Sequence, residues 1–388
     1  MRWIASVLAL VVAIGATAWA AEPAPLELES KIALGKVSGR IDHLAVDLEH
    51  QRLFVAELGN DSLGVVDLEN RTLLRRIKGL HEPQGVGYFA ATDTLYVANA
   101  KDGSVAIFRG AALAPAGRID LKDDADNIRI DTEANRVYVG YGGGALAVID
   151  AATQAKLADI PLKAHPEGFQ LDPASGRIYV NMPDARQIAV ADRAGQQIAA
   201  WPVPGASANF PMAIDPDGKR VLAVFRHPPR LVALATVDGT VAANLATCGD
   251  ADDVFVDAKR GRVYVSCGEG YIDIFAAAGD GYAPIGRVPT ASGARTSLFV
   301  PALDRLYLAV RASGSEPAAI WVFRPTPRGA GRPAPQGCWR CSVPWRHGRA
   351  RPPPIAPSTA PMPPWRTRAR SKSSLARSDI CARDRTAR

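Results

Sequence analysis

No Gly-x-Ser-x-Gly elbow, His-Glu-x-x-His helix or phosphate-binding glycine loop occurs in the 388 residues. Serine hydrolases of the usual pattern, zincin metalloproteases and nucleotide enzymes therefore have no support. Cysteine is scarce as well, with five in all and only Cys248 and Cys267 before residue 328. Cys338-Trp-Arg-Cys341 has CxxC spacing but no second Cys pair, and Ser342 stands where a c-type haem motif needs His. Long apolar runs are missing too. Apart from Ile4 to Ala16, which falls short of the ~20 residues that span a bilayer, no stretch could cross a membrane.

Positive charge is also unevenly spread. Residues 328–388 hold 13 Arg and 1 Lys against 2 Asp, a net +12 that exceeds the whole chain's +7 and leaves residues 1–327 at −5. The basic overall balance thus misdescribes most of the chain, and a negative body is poorly suited to neutralising phosphates. The basic segment is rich in Pro, as at Pro352-Pro353-Pro354, and lacks apolar periodicity, so it is expected to be disordered. Its composition fits an out-of-frame reading of GC-rich DNA, with a basic arm for an anionic surface as the alternative.

What is abundant is a repeat. Leu171 to Val180 reads Leu-Asp-Pro-Ala-Ser-Gly-Arg-Ile-Tyr-Val, an apolar strand end, a turn built on Asp172, Pro173 and Gly176, and a strand of stiff β-formers. The phrase recurs with its Asp, or the residue in its place, at Asp47, Phe89, Asp131, Asp172, Asp215, Asp257 and Val300, at spacings of 41 to 43. A strand-rich repeat of this length predicts an all-β seven-bladed β-propeller with one four-stranded blade per repeat. Such a ring must close. The last repeat stops after its third strand, Ala319 to Phe323, and Leu26 to Val37 precedes the first as an unassigned strand. The N-terminal segment is therefore expected to supply the outer strand of the last blade.

Leu95 to Asn99 (Leu-Tyr-Val-Ala-Asn) and Ile178 to Asn181 (Ile-Tyr-Val-Asn), each followed by a polar loop and an apolar strand, resemble the YVTN-type propellers that include YncE-like proteins. The resemblance covers roughly residues 26 to 327 and implies the fold. Propellers serve as enzymes, binding modules and scaffolds alike; DNA binding, which the resemblance also implies, runs against the negative body.

The domain reading is a secretory signal peptide over 1–20, a propeller over 21–327 and the Arg/Pro-rich tail over 328–388. Met1-Arg2, the short apolar core and Ala18-Trp19-Ala20 set cleavage after Ala20, placing the mature chain in the periplasm or outside the cell. Cys248 and Cys267 flank two strands of one hairpin at the same end, which makes a disulfide geometrically reasonable and suits an oxidising compartment. A closed ring has few open edges, so a monomer is expected.

The repeat register also gathers a site. Five residues before each hairpin Asp lie Asp42, Gln84, Asp126, Glu167, Phe210, Asp252 and Arg295; His43, Asn127 and Asp253 follow one residue later, and His165 lies nearby. All enter one channel mouth. Glu167, Asn127, Asp252, Asp42 and Asp126 are candidate ligands for one divalent cation, Ca²⁺ or Mg²⁺ by their oxygens and Zn²⁺ with imidazole, while His43, His165 and Arg295 are candidates for proton transfer or anion contact. Asp and Asn before a strand also cap turns without any ligand. The loops after the second strands add Glu57, Asn99, Tyr141, Asn181, Arg226, His227 and Arg311 to that face. The first functional reading is an exported binding or scaffold module presenting this mouth to a protein, small ligand or metal. The alternative is a metal-dependent lactonase or esterase with Glu167, Asn127 and Asp252 on the metal.

Overall fold

The computed structural model describes residues 24–279 and 281–327; the proposed signal segment, the basic tail and Cys338/Cys341 lie outside them. The described chain forms seven separate four-stranded antiparallel sheets. Two single-turn 3₁₀ segments, Leu58–Asn60 and Ala90–Thr92, are the helical elements among the described residues. No helix there is long and apolar enough to cross a membrane.

The innermost strands are Leu44–Asp47, Pro83–Phe89, Ala125–Asp131, Phe169–Leu171, Ser207–Ile214, Ala251–Asp257 and Ser297–Val300, one per blade in chain order. Each runs through its hairpin into the second strand, as Ile178 and Val180 pair with Leu171 and Phe169. The turn chemistry is local. Asp172 accepts the Ala174 N–H at 3.1 Å, and the Gly176 N–H closes on the Asp172 carbonyl at 2.9 Å. Gly176 takes φ +70°, and the equivalent Gln51, Asp93, Asn135 and Asp304 take φ of 51°, 44°, 55° and 52°, so the left-handed corner survives without glycine.

Alternation along each strand leaves apolar residues on both faces, and these bury between blades rather than within one sheet. One cluster joins Val55 and Val66 of the first blade to Tyr307, Ile320 and Val322 of the last. Another joins Tyr96 and Ile107 to Ile128 and Val139 across the second and third blades. Each such fully buried side chain contributes about 1.5–3 kcal/mol. Outer strands such as Thr72–Lys78 are mostly exposed.

The ring closes as the sequence predicts. Leu26–Gly35 pairs antiparallel with Ala318–Pro325, giving a last blade whose outer strand comes from the start of the described chain. Arg262, on the second strand of the sixth blade, donates through Nη1 to the carbonyls of Pro25 (3.0 Å) and Thr326 (2.8 Å), tying both ends to one point.

Candidate functional site

The sharp entry into each innermost strand sets the mouth residues inward. Asp42 is fully buried, Asp126 and Asn127 nearly so, and Asp252 and Asp253 sit at 9% exposure. His43, Asn127, Glu167 and Asp252 line one small cavity together with Phe210 and Asp253. The register thus does bring residues from different blades together.

Their electrostatics divide the mouth in two. On one side Asp252 is clamped by Arg226 (Nη2–Oδ1 2.6 Å) and Arg295 (Nε–Oδ2 2.9 Å), and both arginines also reach Asp250, at 3.4 and 2.7 Å. Arg226 lies over the Phe210 ring with 3.6 Å to its centroid. Two guanidiniums on one carboxylate leave Asp252 little capacity for a metal. Arg40 pairs with Asp42 at 2.6 Å. Neither oxygen of Asp42 completes a hydrogen bond within the described residues.

On the other side no arginine of the described residues forms an ion pair with Asp126 or Glu167, although Arg226 acts on Glu167 at longer range. Donor atoms of Asp126, His165 and Glu167 all lie within 4.8 Å of one another. Asp126 Oδ1 is buried without a hydrogen-bond partner among the described residues, and Oδ2 lies 4.0 Å from His165 Nε2. His165 Nδ1 is 2.7 Å from the Gly142 carbonyl, which fixes the ring and leaves Nε2 turned toward the carboxylates.

The crowding shifts several proton equilibria at the mouth. Burial, reinforced by the charges of Asp126 and Asp252, pushes Glu167 up to about 8. The Asp126 carboxylate raises His165 to about 9 against the opposing effect of burial. Burial alone would lower His43, but Asp253 and Asp42 beside it raise it to about 10. Burial also raises Asp42, Asp252 and Asp253, with neighbouring cations opposing.

Several residues read from the sequence as part of the open face do structural work instead. Glu57 is buried, accepting from Ser62 Oγ at 2.6 Å and from Arg76 Nη2 at 2.8 Å. Asn99 donates to Ser104 Oγ at 3.1 Å, and Asn181 donates to the Phe210 carbonyl at 2.9 Å, a strap between the fourth and fifth blades. A residue just past a strand end still sits between sheets, where its amide can satisfy the neighbouring backbone. Two groups escaped the sequence reading, Arg40 and Arg129. Arg129 is legible in hindsight, because two residues before the hairpin Asp the register otherwise holds Ala45, Gly87, Gln170, Ala213, Phe255 and Leu298, all uncharged.

Cys248 and Cys267 are joined by a disulfide with Cα atoms 5.9 Å apart. Cys248 N–H donates to Asp273 Oδ2 at 2.8 Å, anchoring that loop end.

No protein-family model and no curated protein matches the sequence. Solved structures do. A chain of the hydrazine synthase of Kuenenia stuttgartiensis aligns with TM-score 0.63 at 18% identity, over 69% of this chain and 91% of that one. A chain from a structure of the mitotic checkpoint complex aligns with TM-score 0.67 at 12% identity, over 82% and 98%. The likeness is one of fold. It is a seven-bladed propeller, an architecture compatible with a binding or scaffold role.

Proposed function

We propose that the chain is an exported binding module, related to the YVTN-type and YncE-like propellers, whose working surface is the channel mouth. Its acidic half takes one divalent cation on Asp126, His165 and Glu167, and the remaining coordination positions face the ligand or protein partner. One observation carries this reading: three donor atoms lie within 4.8 Å of one another, and buried Asp126 Oδ1 has no other partner among the described residues. An imidazole with two carboxylates suits Zn²⁺ or Mn²⁺ better than an all-oxygen preference for Ca²⁺ or Mg²⁺. Asp42 pairs with Arg40, and Asp252 is reserved for its arginines.

The test is calorimetric titration of EDTA-treated full-length protein with ZnCl₂ and with MnCl₂. One equivalent is expected for one of the two ions, weakened at least tenfold by Asp126→Asn. Heats no larger than those of the variant would leave the mouth as a set of turn caps and internal ion pairs.

Export is supported by the Ala18-Trp19-Ala20 sequence and by the disulfide, which persists in oxidising compartments. N-terminal sequencing of protein from the periplasm or medium should begin at Ala21; intact Met1 in the cytoplasm would contradict it. A lactonase or esterase has one observation in its favour, the Glu167 carboxyl poised near neutrality at about 8 as a general acid–base group needs. DNA binding draws only on the family resemblance.

A further inference from the structure

Below the mouth, the seven innermost strands enclose an axial channel of about 480 Å³. Its lining combines apolar side chains, Leu44, Val86, Ile130, Leu171, Val254 and Leu298 among them, with polar groups from His43, Arg129, Gln170, Asp253 and Ser297. Arg129 is the one guanidinium in this lining. Arg129 lines both this channel and the small mouth cavity. Its Nη1 donates to the Ile128 carbonyl at 2.8 Å and reaches Asn127 Oδ1 only at 3.5 Å. No carboxylate of the described residues forms an ion pair with it; Asp253 and Asp126 act on it only at longer range. Asp253 is already engaged by the Ser297 N–H at 2.7 Å and faces His43 Nδ1 at 3.8 Å.

A guanidinium does not shed its proton, so a cation on an apolar channel persists and seeks an anion. Its remaining donors offer the planar fork that suits a carboxylate. Gln170, next in the ring, spends its amide N–H on the Met212 carbonyl at 2.7 Å and so does not compete as a charge. Small side chains at Ala45, Gly87 and Ala213 leave the bore open beside Arg129.

We propose that the axial channel holds an elongated amphiphilic carboxylate, its head on Arg129 and its hydrocarbon chain along the apolar walls. The affinity then has two separable parts. The head requires Arg129, and the chain strengthens binding about fourfold for each methylene it buries. Neither part depends on a cation at the mouth.

The experiment is titration calorimetry of the full-length protein with sodium decanoate, butyrate and decylammonium chloride, below micelle-forming concentrations. Decanoate is expected to bind with one-to-one stoichiometry, at least a hundredfold more tightly than butyrate, and decylammonium at least tenfold more weakly than decanoate. Arg129→Met, which keeps apolar bulk without the charge, should weaken decanoate at least tenfold, and Arg129→Lys should recover part of that loss. Circular dichroism and a thermal melt establish that the variants are folded, and the wild-type chain-length and head-group comparison decides the matter even if they are not. Absence of decanoate binding, equal affinity for decylammonium, or an Arg129→Met protein that binds decanoate within twofold of wild type would overturn the proposal.

Discussion

Asp304 shows how single residues join blades. The Arg260 guanidinium beside it, at 2.6 and 2.7 Å, holds its carboxyl well below the usual carboxylate range, and Lys259 adds a contact at 3.0 Å. Arg260 also bonds Asp257 at 2.9 Å, so the hairpin of the sixth blade is tied to that of the seventh. A carboxyl whose folded pKa is depressed stabilises fully above its unfolded value of about 3.9, and that stabilisation is lost as pH falls through the folded value. Asp304→Asn should therefore cost about 1 kcal/mol from pH 5 upward. The gap in urea midpoint between wild type and variant should close toward pH 2. A gap that widens on acidification would contradict the ion pair. At this scale the sequence is only partly legible. Asp42, Asp126, Glu167 and Asp252 could be placed at one mouth from register alone, yet which carboxylate meets an arginine depends on side-chain reach across blades. Arg226 and Arg295 claim Asp252 and leave Asp126 to His165, and nothing in the spacing of those residues distinguishes the two outcomes.

At the scale of elements, the strand that fastens the ring is the point of greatest consequence. Ile32 is buried opposite Ile320 and packs with Leu34, Val37 and Val322, in the cluster that also holds Val55 and Val66 of the first blade. Ile32→Ala should cost about 2–4 kcal/mol by cavity formation, read as a lower urea midpoint, because the neighbouring sheets cannot collapse into the void. An effect below 0.5 kcal/mol, the level of an ordinary surface change, would mean that this strand contributes little to closure. The strand itself was legible, since the repeat ran one strand short at its end and one strand long at its start. The boundaries were less so. The N-terminal strand ends at Gly35 rather than Val37, where φ of +70° at Gly35 and the Val37 N–H to Gly35 carbonyl bond of 3.0 Å turn the chain out of the sheet. Gly176 marks its corner in the sequence, whereas Gln51, Asp93 and Asn135 adopt the same corner without glycine, held by the hydrogen-bonded strands on either side.

For the molecule as a whole, the ring makes chemistry possible that no local motif encodes. Short turn-and-strand phrases about 42 residues apart are carried to one axis, where a carboxylate from the third blade and another from the fourth meet an imidazole. Such groups carry no local sequence motif, because they are dispersed by blade and assembled only by closure. Closure likewise creates the axial channel, whose guanidinium, Arg129, is visible in the sequence only after the blades are superposed. The net negative charge of residues 1–327 opposes a duplex DNA partner. It agrees with the proposed cation at the mouth, where Asp126 Oδ1 has no hydrogen-bond partner among the described residues.

Anomalous diffraction from crystals of the protein soaked in ZnCl₂ or MnCl₂ tests this most directly. A single strong peak is predicted about 2.0–2.2 Å from Nε2 of His165 and from a carboxylate oxygen of both Asp126 and Glu167. An ordered mouth without a peak, or a metal bound instead by Asp252 with its arginines displaced, would contradict the assignment.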